Sequence, residues 1–150
     1  MKLAEALQER ADLARRLEQL RYRLSRNATV QEGEKPAEDP NELIKETDEC
    51  IARLEELMAR INLTNSSTEV DGVTLTELIA KRDSLTQKLS IYRDFLSEAS
   101  NTATRATRSE IKILSTVNVR KLQKQVDDMS RDLRLTDNAL QQANWTVELK

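Results

Sequence analysis

Apolar residues recur every three or four positions along almost the whole chain, a period that suits helices and does not suit strands. Leu3, Leu13, Leu17, Leu20 and Leu24, with Ala6, Leu7 and Ala14 beside them, mark one face of a helix over residues 3–24. Leu43, Ile44, Cys50, Ile51, Leu54, Leu57, Met58 and Ile61 mark a second helix. Its face is wider than a two-stranded seam needs, so it should touch more than one neighbour. Leu75, Leu78, Ile79, Leu85, Leu89, Tyr92, Leu96 and Ala99 form a third stripe. Val119, Leu122, Val126, Met129, Leu133 and Leu140 form a fourth, running toward Trp145. Two glycines and two prolines in 150 residues leave too few turns for a sandwich or a doubly wound sheet. The sequence therefore predicts an all-α fold: four long amphipathic helices in antiparallel helical hairpins, a bundle or coiled-coil-like domain covering 1–150. A more extended pairing, in which the hairpins splay and associate with other chains, is the alternative.

The breaks in the pattern place the helix ends. Asp39 stands where an N-cap belongs, with Pro40 at the first helical position and Glu42 set to close a capping box. Asp71 and Gly72 signal a tight turn, Thr74 and Glu77 a second capping box, and Asn118 a cap for the fourth helix. The polar run "NLTNSSTEVDG" is expected to end the second helix, and its first part, "NLTNSS" at 62–67, to cap backbone groups near Asn144, Trp145 and Thr146 rather than to bind a ligand. In "RSEIKILSTV" the apolar residues alternate, which favours extended structure over a helical segment. With an up-down-up-down order the connections 27–32 and 109–117 share one end, where they are expected to pair as a minimal β cap.

Composition narrows the chemistry. The chain has no histidine, which excludes histidine-based acid–base catalysis and metal ligation. The single Cys50 lies on the apolar stripe and reads as a small core residue in a reducing compartment. Neither glycine belongs to a phosphate-cradling motif. Carboxylates such as Asp48, Glu49, Glu55, Glu56, Asp127 and Asp128 read as a solvated helix face, because the Glu-x-x-His pattern of buried di-metal bundles is missing. No cofactor and no metal is expected. A net charge of −2 argues against coating nucleic acid, and no apolar run reaches the length of a secretory signal or a membrane span. Charge is uneven all the same: residues 1–26 carry seven basic and four acidic groups, and residues 27–62 carry four basic and ten acidic. Either a solvated helix or a basic docking face would look like this.

Three places invite an interaction. Arg105, Arg108 and Lys112 are expected to meet Glu32, Glu34, Glu38 and Asp39 across the capped end. Trp145 is expected to close the end of the bundle or to anchor a partner. Ile91 and Phe95 lie beside the stripe of Leu89, Tyr92 and Leu96, widening the third helix beyond what one hairpin partner covers.

The pieces "MKLAEALQERADL", "VQEGEKPAEDP", "INLTNSS", "DGVTLTELIAKRD", "RSEIKILSTVNVRKLQKQVDD" and "NWT" together resemble a family of small bacterial helical proteins labelled septicolysin-like, a domain of unknown function. The resemblance spans nearly the whole chain. It implies a bacterial origin and an all-helical fold, and it brings no catalytic or binding residues; its label suggests a cytolysin. The residues point elsewhere, to a non-enzymatic, cytoplasmic, self-associating helical scaffold or interaction protein, a dimer or a multiple of one, with no nucleic acid and no stable membrane insertion. A membrane-active cytolysin is one competing reading. A small-ligand or nucleotide-binding protein using the Arg105 and Arg108 end is another.

Overall fold

The fold is that of a computed structural model and covers residues 1–102 and 111–150. Four helices dominate it: α1 (Leu3–Arg26), α2 (Pro40–Ser67), α3 (Leu75–Ser100) and α4 (Val119–Thr146). Two short strands, β1 (Glu69–Val70) and β2 (Val73–Thr74), lie between α2 and α3. The all-α class and the four apolar stripes are as the sequence predicts. By compactness the chain divides into two units, one made of Met1–Thr68 with Ala143–Lys150 and the other of Glu69–Gln142.

The first unit is built on the antiparallel α1/α2 hairpin. Leu20, Leu43 and Cys50 are buried together, and the half-buried Leu13, Leu17 and Leu24 pack against them. Cross-helix ion pairs hold the register. Arg53 Nε donates to Glu9 Oε1 at 2.6 Å, Arg16 Nε to Glu46 Oε1 at 2.8 Å and Arg23 Nε to both oxygens of Glu38 at 3.1 Å. Each pair sums to nearly the same residue number, as an antiparallel pair of helices requires. The uneven charge of the sequence thus has a structural use: the basic α1 reads against the acidic α2, with Arg53–Glu9 running in the opposite sense.

Asn27 turns this hairpin. Its backbone and side-chain N–H groups both donate to the Arg23 carbonyl, closing α1, while its Oδ1 accepts from the Glu38 backbone N–H at 3.0 Å. One buried amide therefore satisfies the end of one helix and positions the approach to the next. Asp39 then caps α2 as expected, accepting from Asn41 N–H at 2.9 Å. Glu42 closes no capping box; the single bond from the second helical residue takes its place.

The same unit closes at the chain termini. Leu3 N–H donates to Val147 O and Leu149 N–H to Met1 O, both at 2.9 Å, so Lys2 and Glu148 form an antiparallel bridge. Thr64, fully buried, accepts from Lys150 N–H at 3.0 Å and donates to Arg60 O at 2.8 Å. Arg60 Nε reaches Lys150 O at 2.8 Å, and Lys150 Nζ reaches Ser67 O at 2.9 Å. Leu3, Ala6, Leu57, Ile61, Ala143 and Leu149 are the buried apolar residues of this end.

The second unit starts with the β1/β2 hairpin, whose register pairs Val70 with Val73. Asp71 and Gly72 both have positive φ, 52° and 80°, the pattern of the two-residue turn that suits strand twist. Thr74 caps α3 in the expected box: its Oγ1 accepts from Glu77 N–H at 3.2 Å and its N–H donates to Glu77 Oε2 at 2.9 Å. α3 and α4 run antiparallel, with Lys81 Nζ on Asp132 Oδ1 at 3.0 Å and Arg93 Nη2 on Ser130 Oγ at 3.1 Å. Leu75, Leu89, Leu122, Val126 and Leu140 are its buried apolar side chains.

The expected place of the strands is corrected. The minimal β cap from 27–32 and 109–117 is not found: residues 27–32 and 111–117 carry no strand, residues 109 and 110 lie outside the described residues, and the sheet instead sits at 69–74. Alternation over so few residues does not provide a partner, whereas an Asp-Gly turn brings its two strands together locally. The second helix ends inside the polar run that begins at Asn62, as expected, with Ser67 its last residue. Thr64, Ser66 and Ser67 satisfy their hydroxyls on helix carbonyls three or four residues back, so the helix carries them without loss.

Leu20 has no exposed surface, so Leu20→Ala is expected to cost about 2–5 kcal/mol in denaturant unfolding. Acid should weaken the first unit. Glu9, Glu38 and Glu148 are held below the ordinary value of 4.5, in each case chiefly by hydrogen bonds from their cationic partners. A depressed carboxylate stabilises above its unfolded pKa, and that contribution disappears as pH falls through the folded pKa. Glu9→Gln is thus expected to lower stability at pH 7 by about 0.5–1 kcal/mol, the range for a partly screened pair, and to leave it unchanged at pH 2. A deficit of equal size at both pH values would contradict the ion-pair account.

Candidate interaction surface

Late in α3 and in the segment that leads into α4, several large apolar side chains are exposed. Ile91 and Phe95 are 58% and 47% exposed, although the sequence stripe around them is buried or half-buried. The reason is geometric. Leu89, Tyr92 and Leu96 point at the partner helix, and residues about 100° away around the helix cannot do so as well. Ahead of α4, Ile111 and Leu114 are 75% and 77% exposed, with Ile113 and Val117 also exposed. Residues 111–115 have no regular structure, so their backbone offers no ladder that would fix these side chains on a neighbour.

Phe95, Tyr92, Val117, Lys121 and Leu122 line one open depression of about 460 Å³. The Lys88 ammonium lies over the Tyr92 ring, 5.4 Å from its centre. Asn118 caps α4 here: its carbonyl accepts from Leu122 N–H at 3.0 Å and its Oδ1 from Lys121 N–H at 3.1 Å. The first turn of α4 has no acidic residue, while Arg120, Lys121 and Lys124 stand in its first two turns. Positive side chains at the positive end of a helix dipole are unfavourable, so this end is electrostatically unsatisfied. Among the described residues none of Lys112, Arg120, Lys121 and Lys124 has a carboxylate within ion-pair distance.

The remaining predicted site residues fall differently. Arg105 and Arg108 lie outside the described residues. Lys112 is exposed. Two of the carboxylates expected to face these cations have other roles, since Glu38 is held by Arg23 and Asp39 caps α2. Trp145 belongs to the first unit and is 62% exposed, so it does not close a helix end; the chain termini do that with backbone hydrogen bonds. A second hollow lies at the α1/α2 turn, with Tyr22, Arg26, Val30 and Pro36 in its lining. Two of its three cations are engaged: Arg23 binds Glu38, and Arg26 donates to Tyr22 Oη at 2.9 Å while lying over the ring, with Lys35 the third. The sequence reading missed Lys121, whose place beside Phe95 depends on how α3 and α4 pair. No three metal-ligating side chains gather among the described residues, and no described helix is long and apolar enough to cross a membrane.

Residues 10–149 match the model of a family of unknown function, DUF6847. The chain belongs to that family. Its architecture is also that of a solved bacterial protein, described as a functionally unknown conserved protein from Corynebacterium diphtheriae. The two share 39% identity with a TM-score of 0.88, over 100% of this chain and 99% of the other. None of the curated proteins compared with the chain matches it. A DUF6847 membership agrees with the expectation of a family without assigned function, and neither comparison carries the septicolysin label.

The cap of α4 can be tested by itself. Asn118→Ala is expected to lower stability by about 1 kcal/mol. Asn118→Asp keeps the acceptor and adds negative charge beside Arg120 and Lys121, so it should equal or exceed the wild type in thermal unfolding. An aspartate as harmful as alanine would contradict the electrostatic description of this end.

Proposed function

We propose that this DUF6847 chain is a non-enzymatic interaction protein of the cytoplasm that works as a homo-oligomer, a dimer or a multiple of one. The observation that carries this reading is the open depression lined by Tyr92, Phe95, Val117 and Leu122, at which Phe95 and Val117 are exposed. Isolated exposed apolar side chains are ordinary on a folded protein, whereas a concentration of large ones around an open depression marks a surface that another molecule covers. Closed association of identical chains is the commonest way to cover such a surface. The lining of the depression suits binding: Tyr92 and Phe95 supply an aromatic pair, Val117 and Leu122 aliphatic walls, and Lys121 a cation. A buried thiol with no disulfide partner fits a reducing compartment.

Light scattering coupled to size exclusion tests the reading. Wild-type protein should elute with a mass that is a multiple of 17.2 kDa at micromolar concentration. Phe95→Glu places a charge in the apolar depression and should shift the mass toward 17.2 kDa without loss of helical circular dichroism. A wild-type mass of one chain would overturn the proposal. An oligomer unchanged by Phe95→Glu would remove this depression from its interface.

A further inference from the structure

The outward side of α2 carries a second uncovered apolar row. Ile44, Ile51 and Met58 are spaced by seven residues, and each is close to half-exposed. They run parallel to the buried row of Leu43, Cys50 and Leu57, one position away. Over 14 residues the row spans about 21 Å along the helix. Helical geometry places Asp48 and Glu55 on the same side of the helix as this row, within about 60° of Ile51. Both are exposed, and neither has a cationic partner among the described residues. The contrast with Glu46 and Glu56 is informative, because these carboxylates of the same helix are held by Arg16, Arg53 and Arg60. The outward side of α2 is therefore apolar and acidic, with its charges unanswered.

The α4 start has the complementary character. Ile111, Ile113, Leu114 and Val117 are exposed there, and Lys112, Arg120, Lys121 and Lys124 are unpaired among the described residues. Resting on the self-association proposed above, we infer that the outward row of α2 receives the α4 start of a second copy, so that one closed dimer contains two equivalent contacts. Each surface supplies what the other lacks. Apolar side chains meet apolar side chains, and the cations that oppose the α4 dipole meet Asp48 and Glu55. Pairing α2 with a second α2 answers neither need. An antiparallel match centred on Ile51 sets Asp48 of one chain against Glu55 of the other, which repels. A two-fold axis makes the unlike contact reciprocal, and every pair of chains then closes without an exposed end.

Two charge-reversed proteins test this contact, one carrying Asp48→Lys with Glu55→Lys and the other Lys121→Glu with Lys124→Glu. All four positions are exposed, so both proteins should fold, as checked by circular dichroism. Each alone brings like charges together at both contacts, and sedimentation should show dimer dissociation constants raised about tenfold or more. Mixed in equal amounts, they restore opposite charges at both contacts, and the wild-type dissociation constant should return. Two outcomes overturn the inference while leaving self-association standing: reversed proteins that associate like wild type, or a mixture that stays dissociated. A wild-type chain that sediments as a monomer overturns both proposals. A wild-type monomer that floats with phosphatidylserine vesicles would do so in favour of a lipid surface.

Discussion

Two helices laid side by side cover only one stripe of each other, and this constraint governs the molecule. α1 and α2 bury Leu20, Leu43 and Cys50 along their shared line, and α3 and α4 belong to a unit that buries Leu89, Leu122 and Val126. Everything apolar outside those lines has to find another cover. α2 and α3 both have wider apolar faces than one partner can bury. Ile44, Ile51, Met58 and Leu63 on the first, and Ile91 and Phe95 on the second, remain exposed.

Polar groups then decide how each hairpin is aligned. The mostly leucine contacts of the α1/α2 seam are non-directional, whereas the pairs Arg23–Glu38, Arg16–Glu46 and Arg53–Glu9 would be broken by a slip of one turn. Partly exposed ion pairs contribute little stability, so their main effect is on register. Asn27 and the terminal clasp act in the same way at the two ends of the unit. Each satisfies backbone groups that a hairpin end leaves open, and each ties together residues far apart in sequence.

Much of this was readable from the residues and some of it was not. The helices follow from a long-range period that a single neighbouring residue does not disturb. Asp39, Thr74 with Glu77, and Asp71-Gly72 act on backbone groups within three residues, so their sequence neighbourhood contains the whole interaction. Asn27 carries no local signal for its place in the hairpin, because that role needs the Glu38 N–H, 11 residues away. The Lys2 and Glu148 bridge joins residues from opposite ends of the chain, and nothing near either of them announces a strand. The β cap was misplaced for the same reason, since alternation describes one strand and pairing needs two. At the interaction surface, the surplus of Ile91 and Phe95 was legible from spacing alone. Trp145 was not, because its burial depended on the way the termini close.

The central claim is that a second copy covers the apolar rows left over by the hairpins. Hydroxyl-radical footprinting at increasing protein concentration reads this directly from side chains. Met58 and Phe95 should oxidise readily in dilute protein, where each is about half-exposed, and more slowly as the concentration rises, while Tyr22 at the α1/α2 turn keeps a constant rate. Oxidation of Met58 and Phe95 at the same rate across the whole concentration range would contradict it.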